Sequence, residues 1–213
     1  GESTRVYPKR SFRIQFEEDV DHPGYARKIS LRSEYADPSM LRTHLGYETF
    51  RRLTSIPTPD SRYAWLTING LPHGLMLDVE RIGGRFLERR GRDRAAVMYE
   101  AEHPPPPGGL MPLPNNDDYR ELEGTEMYTM KVGEDFGPLV ELIEGALAGD
   151  LAASPSPRET VLDSSRDAVD LDGHLRYLAV MALVQGRDHV ETNYHFSPQI
   201  GPDGQVLWEF YPW

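Results

Sequence analysis

Short stretches in which hydrophobic and polar residues alternate dominate the first third of the chain. Alternation with a period of two is typical of a strand with one buried face. It predicts strands at residues 10–16, 29–31, 63–68 and 75–79. In the first of these strands, the residues on the apolar face are Phe12, Ile14 and Phe16. Asn69-Gly70 lies between the last two strands and predicts a tight hairpin turn.

Helical periodicity marks four other segments. Asp37-Pro38-Ser39 predicts a helix start, because aspartate caps free N–H groups and proline suits the first helical position. This helix is expected to end before Pro57 and to turn inward Leu41, Leu45, Phe50 and Leu53. Further helices are predicted at residues 82–90, at residues 136–147 and from residue 172 onward. The last of them is expected to bury Leu175, Leu178, Ala179, Ala182 and Leu183.

A second hairpin is predicted near the end of the chain. Residues 194–196 and 206–211 flank the turn-forming run GPDG at residues 201–204. Proline and glycine predict a loop and a linker at residues 103–114 and 155–157. The order of elements is therefore strands with one helix, then mostly helices, then a late hairpin, which favours an α+β fold. A chain of 213 residues suits one large domain or two small lobes.

Composition and charge limit the classes of function. The chain carries 34 acidic and 23 basic residues, for a net charge of -11, which disfavours nucleic acid and anionic membranes as partners. The same charge is compatible with a basic protein substrate, and it is also a common means of solubility. No cysteine is present, which excludes disulfides, thiol catalysis and zinc–thiolate sites. No apolar run approaches the roughly 18 residues that a membrane-spanning helix needs.

The stretch GRDHVETN at residues 186–193 carries the clearest candidate chemistry. Catalytic loops of protein kinases have the pattern H-R-D-x-x-x-x-N, in which the aspartate accepts a hydrogen bond from the attacking hydroxyl and the asparagine binds a metal ion. Here Arg187, Asp188 and Asn193 fit that spacing, and Gly186 replaces the histidine. A solvated loop is the alternative. The predicted helix before the motif and the predicted hairpin after it favour the kinase-like interpretation.

Two further residues are candidates for nucleotide binding. Lys9 opens the first strand, where rigid backbone fixes the ammonium group, and phosphoryl transfer needs a fixed cation near the leaving phosphates. Glu80 follows the fourth strand, where the connection between two kinase lobes is expected. Glu48 on the first helix is a candidate partner for Lys9, like the helix glutamate of kinases. An ordinary surface position is the alternative for all three residues.

Other reaction classes have less support. The seven histidines are scattered, and no H-E-x-x-H, G-x-S-x-G or Walker A pattern occurs. His189 and His195 are close in the sequence, but a histidine on a strand is more often structural than a metal ligand. The aromatic residues that are most simply interpreted as core are Tyr47, Tyr63 and Trp65.

Several segments, in the same order along almost the whole chain, resemble the CotH kinase family. They correspond to its P-K-x-S-F-R-I strand, its helix start, its I-N-G…G…V-E hairpin, the helix that follows, its D-x-x-x-x-N-Y loop and the start of its P-W-D-x-D segment. The matching stretches are YPKRSFRI at residues 7–14, DPSMLR at 37–42, INGLPHGLMLDVE at 68–80, FLERR at 86–90, DHVETNY at 188–194 and PW at 212–213.

The resemblance implies a divergent two-lobed protein-kinase-like fold of the α+β class, with a strand-rich N-lobe and a mainly helical C-lobe. It implies ATP with Mg²⁺ (or Mn²⁺) and phosphorylation of Ser or Thr on a protein substrate. In this comparison Asp188 is the catalytic residue and Asn193 is a metal ligand. The expected nucleotide contacts are Lys9 and Glu80.

We therefore expect one CotH-like kinase domain over residues 1–213, with an N-lobe at about residues 1–80 and a C-lobe at about 81–213. Only Gly1-Glu2-Ser3 corresponds to the family's R-G-x-S loop, and the family's carboxylate is expected after Trp213, so the domain is expected to be truncated at both ends. The candidate substrate is a basic, Ser-rich protein. The alternative is a non-catalytic coat, adhesion or partner-binding protein on a kinase-like fold. The resemblance suggests a spore-coat, cell-surface or secreted location.

Overall fold

The computed structural model describes residues 7–16, 28–101, 128–147, 167–186, 193–201 and 203–213. Within these ranges the chain is an α+β protein with two four-stranded antiparallel sheets and four helices. The parts of the sequence predictions that lie outside the described residues include the loop at residues 103–114, the linker at residues 155–157, and Arg187, Asp188 and His189 of the predicted catalytic motif and its neighbourhood.

The first sheet contains the predicted strands of the N-terminal region. Its strands are β1 Phe12–Gln15, β2 Lys28–Arg32, β3 Ser61–Ile68 and β4 Leu71–Val79, in the spatial order β1-β2-β4-β3. The predicted turn between β3 and β4 is confirmed, because Asn69 and Gly70 have φ of 50° and 80°, as a two-residue hairpin turn requires. The predicted apolar face of β1 packs against a cluster that contains Ile29, Leu31 and Met76.

The second sheet combines the predicted late hairpin with two strands that the sequence did not predict. Its strands are β5 Met98–Ala101, β6 Tyr128–Val132, β7 Tyr194–Ile200 and β8 Val206–Pro212, in the order β6-β5-β7-β8. β5 and β6 have only 4 and 5 residues, which is too short for a period to stand out. The region after residue 80 therefore has a complete sheet in addition to its predicted helices.

The helices are α1 Arg42–Leu53, α2 Gly84–Arg89, α3 Gly137–Glu141 with a π-helical continuation at Leu142–Leu147, and α4 Leu171–Val184. The Asp37 carboxylate accepts hydrogen bonds from the Ser39 hydroxyl at 2.6 Å and from the N–H of Arg42, the first residue of α1, at 2.9 Å, but the N-cap position is Leu41 and not the predicted Asp37. These bonds, the first above all, lower the pKa of Asp37. The helix nevertheless begins later than predicted, since Met40 has a φ of 57° and is not helical.

The larger core lies between one face of the second sheet and helices α3 and α4. Aromatic rings fill it: the Tyr99 and Trp208 rings are stacked, and the Phe196 ring is tilted against both of them. The predicted inward face of α4 is wrong for Leu175 and Leu183, which are 63% and 65% exposed. The residues that α4 buries instead are Tyr177, Val180 and Met181. The aromatic partners on the sheet select this face, and sequence periodicity does not identify such partners.

Helix α1 connects the first sheet to the larger core. Tyr47 packs against Leu77 and Val79 of β4, while the Phe50 ring lies 5.4 Å from the Tyr177 ring of α4. The predicted inward positions are correct only for Phe50, because the exposed side chains of α1 and of the residue before it include Leu41, Leu45 and Leu53. The predicted core positions on β3 are also wrong, since the exposed residues there include Tyr63 and Trp65.

Replacing the connecting aromatic ring tests this arrangement. We expect Phe50→Ala to lower the free energy of unfolding by about 3–5 kcal/mol, because it leaves a cavity beside Tyr177. The matched control is Leu45→Ala on the same helix, where the side chain is 53% exposed, and its effect is expected to stay within about 0.5 kcal/mol. Urea unfolding measures both variants. Equal destabilisation by the two substitutions would contradict the observed orientation of α1.

Candidate active site

The loop that carries the predicted catalytic motif joins α4 to β7. Its two described ends are fixed by local backbone geometry. Gln185 ends α4 in the left-handed conformation, with φ of 56°, and the Gly186 N–H donates to the Met181 carbonyl at 2.9 Å. At the other end Asn193 has φ of 58°, and its N–H donates to the Ala101 carbonyl of β5 at 2.7 Å. The loop therefore leaves a helix end and returns onto the centre of the second sheet.

A cavity of about 440 Å³ opens beside the start of this loop. Its walls come from Arg32 at the end of β2, from the inner side of α1, from the last turn of α4 and from the end of β8. Its lining residues include Arg32, Gly186 and Trp213. The cavity therefore lies where both sheets, α1 and the catalytic motif meet.

Polar and charged side chains line the junction between the two sheets. The Arg32 guanidinium lies 4.5 Å from the centre of the Trp213 ring. The rings of His195 and Trp213 are in edge-to-face contact, with their centres 5.4 Å apart. Glu100 on β5 forms an ion pair with Lys131 on β6, and its carboxylate lies 3.8 Å from His195 Nε2. Residues from both sheets thus converge at one place.

His195 is buried at this junction and is uncharged. Burial lowers the pKa of its imidazole well below the usual histidine value, and the nearby cations Lys131, Arg32 and Arg81 lower it further. Its Nδ1 is buried without a hydrogen-bond partner among the described residues. The interpretation of His195 as a strand residue is confirmed by its position in β7. Lys131, Arg32 and Arg81 therefore lie close enough to His195 to add to the effect of its burial.

Lys9 lies at a different part of the first sheet. Its ammonium group donates a hydrogen bond to the Leu75 carbonyl of β4 and lies 3.7 Å from Met40 Sδ. Within the described residues these contacts place it beside the turn that precedes α1, and they do not bring it together with Asn193. Glu48 pairs with Arg51 and Arg52 on the surface of α1, so it is not the partner of Lys9 in this structure. A nucleotide contact for Lys9 stays a prediction.

Glu80 is 4% exposed, so the solvent-exposed interpretation of this residue is wrong. Its carboxylate pairs with Arg89 at 2.9 Å and Arg90 at 2.5 Å, and it accepts the Asp60 N–H at 3.0 Å. The Arg90 guanidinium also lies over the Phe86 ring at 4.1 Å. Glu80 thereby joins the end of the first sheet to α2. This is the predicted place for a connection between lobes, and a nucleotide contact for Glu80 stays a prediction.

Sequence reasoning missed the charged residues of the junction. They are Arg32, Arg81, Glu100 and Lys131, with His195 noted only as a structural strand residue. The available signal was the alternation of β2, which buries Ile29 and Leu31 and therefore turns Arg32 to the opposite face. That signal indicates a cation on one face of the sheet, but it does not reveal which residues of the second sheet contact that face.

The described residues form an α+β fold in which Gly186, the first residue of the predicted catalytic motif, lines a cavity beside the junction of two sheets. The sequence model of the CotH kinase protein family matches residues 1–213. The chain therefore belongs to the CotH kinase protein family.

Two curated proteins of Bacillus subtilis (strain 168) are similar to the chain. The protein named inner spore coat protein H is 28% identical over 214 aligned residues, which cover 100% of this chain and 55% of the relative. The inner spore coat protein H-like protein is 35% identical over 72 residues, or 34% of this chain and 22% of that relative. The chain thus spans about half the length of the first relative. In the described part of the chain, no helix is long and apolar enough to cross a membrane.

The buried ion pairs of Glu80 generate a test of its role. We expect Glu80→Gln to lower the free energy of unfolding by about 3–5 kcal/mol, because it removes the buried negative charge that pairs with both Arg89 and Arg90. The matched control is Glu48→Gln, which disrupts only surface pairs on α1 and is expected to change stability by less than about 1 kcal/mol. Urea unfolding and nucleotide titration are measured on both variants. Unchanged stability with weakened nucleotide binding would instead identify Glu80 as a nucleotide contact.

Proposed function

We propose that the chain is the core of an ATP-dependent protein Ser/Thr kinase of the CotH type. The observation that carries the proposal is the spacing of Asp188 and Asn193 in a loop between a helix and an antiparallel hairpin. Catalytic loops of protein kinases use this spacing to orient the substrate hydroxyl and to hold a metal ion on the phosphates. Membership of the CotH kinase protein family supports the same activity.

The order of the elements supports a kinase-like arrangement of two lobes. The first lobe, about residues 1–80, contains the first sheet with α1 inserted between β2 and β3. The second lobe, about residues 81–213, contains α2, α3, α4 and the second sheet. Glu80 and its arginine partners lie at the boundary between them. The nucleotide would bind at this junction, next to the loop that carries Asp188.

The proposed reaction transfers the γ-phosphoryl group of ATP to a serine or threonine hydroxyl. The hydroxyl oxygen forms a bond to the γ-phosphorus while the bond from that phosphorus to the bridging oxygen of ADP breaks. Asp188 accepts the hydrogen bond of the attacking hydroxyl and takes its proton as the new bond forms. The mechanism also needs a fixed cation on the phosphates, the role that the sequence predicts for Lys9, and it keeps the predicted position of Glu80 beside the nucleotide.

Asn193 is the residue of this chain that would hold Mg²⁺ or Mn²⁺. Its backbone is fixed by the hydrogen bond to Ala101, so the side chain starts from a rigid position. An amide oxygen is a hard ligand of the kind that Mg²⁺ prefers, and phosphate oxygens and water commonly supply its other ligands. The metal ion, when bound, neutralises charge on the phosphates. Asn193 therefore fits the proposed ion in ligand chemistry.

The substrate proposal follows from charge and from the named relative. With a net charge of -11, the chain attracts basic proteins and repels nucleic acid, so we propose a basic, Ser-rich protein substrate. The relative's name refers to the inner spore coat, and we propose a spore-coat location for this chain by analogy. A non-catalytic coat or adhesion protein on the same fold is the competing outcome of the activity test.

Asp188→Asn tests the proposed activity. We expect transfer of radiolabel from γ-labelled ATP to a basic Ser-rich protein to fall by about 10²–10⁴, because the variant keeps the shape of the side chain but cannot accept the proton. The assay uses the full-length native chain with Mg²⁺ and with Mn²⁺. Asp172→Asn is the matched control, since Asp172 is exposed on α4 and pairs only with Arg176 among the described residues.

Two results would contradict the proposal. Near-normal transfer by Asp188→Asn would remove Asp188 from the catalytic role. Absence of transfer by the unmodified chain, to itself and to a panel of basic Ser-rich proteins with either metal, would favour the non-catalytic alternative.

A further inference from the structure

Arg32 is held at the junction of the two sheets by its strand and by an aromatic ring. It ends β2, pairs in register with Leu77 of β4 and turns away from the apolar face that buries Ile29 and Leu31. Its guanidinium lies 4.5 Å from the centre of the Trp213 ring and lines the cavity beside Gly186. A guanidinium on a central strand, stacked on an indole, has a fixed position before any ligand arrives.

The charge around Arg32 is not balanced by the described residues. Neither Arg32 nor Arg81 has a carboxylate within ion-pair distance in the described part of the chain. Glu100, which also lies at the junction, already pairs with Lys131. Burial lowers the pKa of Arg81, and repulsion from Arg13 lowers it further, whereas Glu100 raises it. Several cations thus converge at one place in a chain whose net charge is -11.

Concentrated positive charge at a partly buried site favours an anionic ligand. Holding guanidinium groups partly away from water is unfavourable, and a bound anion offsets that penalty where, as among the described residues, no carboxylate does so. Phosphate is the anion that the fork of an arginine matches best, because two N–H groups can donate to two phosphate oxygens. The position beside Gly186, which begins the GRDHVETN stretch, is where the phosphates of a kinase nucleotide are needed.

We propose that Arg32, and not Lys9, is the principal cation that binds the phosphate chain of the nucleotide, with Arg81 as a second cation at the same junction. This inference rests on the proposed kinase function and assigns a residue to it. Arg32 acts as a phosphate-binding residue, and the indole of Trp213 acts as a positioning residue that holds the guanidinium. Lys9 donates instead to a backbone carbonyl of β4, so less of its ammonium group is available to a ligand.

The topology agrees with this assignment. In protein kinases the lysine that binds the phosphates lies on the strand that precedes the first-lobe helix. In this chain the strand that precedes α1 is β2, and Arg32 is its last residue. Lys9 precedes β1, which is one strand further from the helix.

Nucleotide titrations of charge variants test the proposal. Calorimetry on the full-length native chain measures Kd for Mg²⁺–ATP and for adenosine, which lacks phosphates. We expect Arg32→Met to weaken Mg²⁺–ATP binding by about 10- to 100-fold, as for the loss of hydrogen bonds to a charged group. We expect adenosine affinity to change by less than about twofold, because the base and ribose are bound elsewhere. Arg32→Lys is expected to recover part of the lost ATP affinity.

Two further variants complete the design. Lys9→Met is expected to weaken Mg²⁺–ATP binding much less than Arg32→Met. Arg52→Met is the surface control, since Arg52 is 79% exposed in its side chain and pairs with Glu48. Inorganic tripolyphosphate is the probe for the phosphate site alone, and it is expected to compete with ATP for the unmodified chain but not for Arg32→Met.

The outcomes separate the two proposals. Equal ATP affinity for Arg32→Met and the unmodified chain overturns the assignment of Arg32, and loss of affinity in Lys9→Met alone assigns the phosphates to Lys9. Parallel loss of ATP and adenosine binding in Arg32→Met also overturns the assignment, because it indicates a structural effect. Normal ATP binding through Arg32 without any phosphoryl transfer rejects the kinase function and retains the binding site. No ATP binding to the unmodified chain rejects both.

Discussion

The packing of α1 between the two sheets is the contact on which the proposed site depends. Tyr47 faces β4 of the first sheet, and Phe50 faces Tyr177 of the larger core, so one helix turn fixes the two halves relative to each other. The cavity beside Gly186 is bounded by this same helix. Protein cores are packed as densely as crystals of small organic molecules, so they transmit displacements. A shift of α1 would therefore change the distance between Arg32 and Gly186, where the loop that carries Asp188 begins.

A second constraint is electrostatic and acts at the boundary between the halves. The buried carboxylate of Glu80 is satisfied by two arginines and a backbone N–H, so it contributes order there without excess charge. Arg81, which follows Glu80 in the sequence, lies with Arg32 at the junction with the second sheet. Neither of these two arginines has a carboxylate partner among the described residues. This contrast among the described residues distinguishes the structural role of Glu80 from the ligand-binding role that we propose for Arg32. It is the physical basis for placing the phosphates near Arg32.

Local signals in the sequence predicted local structure well. The presence of strands β1 to β4 and the Asn69-Gly70 turn were confirmed, because strand formation and turn conformation depend strongly on neighbouring residues. The inward faces of α1 and α4 were largely wrong, since tertiary partners such as Tyr177 and Leu77 decide which helix face is buried. Strands β5 and β6 were missed because only pairing with distant strands makes such short segments stable.

The candidate site shows the same division between local and distant information. The spacing of Asp188 and Asn193 is a local signal, and the sequence alone was sufficient to propose a phosphotransferase. The phosphate-binding role that we propose for Arg32 depends on its contact with Trp213, which is far from it in the sequence. No spacing rule relates these two positions. The sequence therefore favoured Lys9 because it begins a strand, while the charges around Arg32 emerged only from the three-dimensional arrangement.

The most direct test of this account is a crystal structure of the full-length native chain with Mg²⁺ and a non-hydrolysable ATP analogue. The account predicts phosphate oxygens within hydrogen-bond distance of the Arg32 guanidinium, the metal ion bound to the Asn193 amide oxygen, and the Asp188 carboxylate facing the γ-phosphate. A nucleotide whose phosphates lie against Lys9 and away from the junction of the two sheets would contradict it.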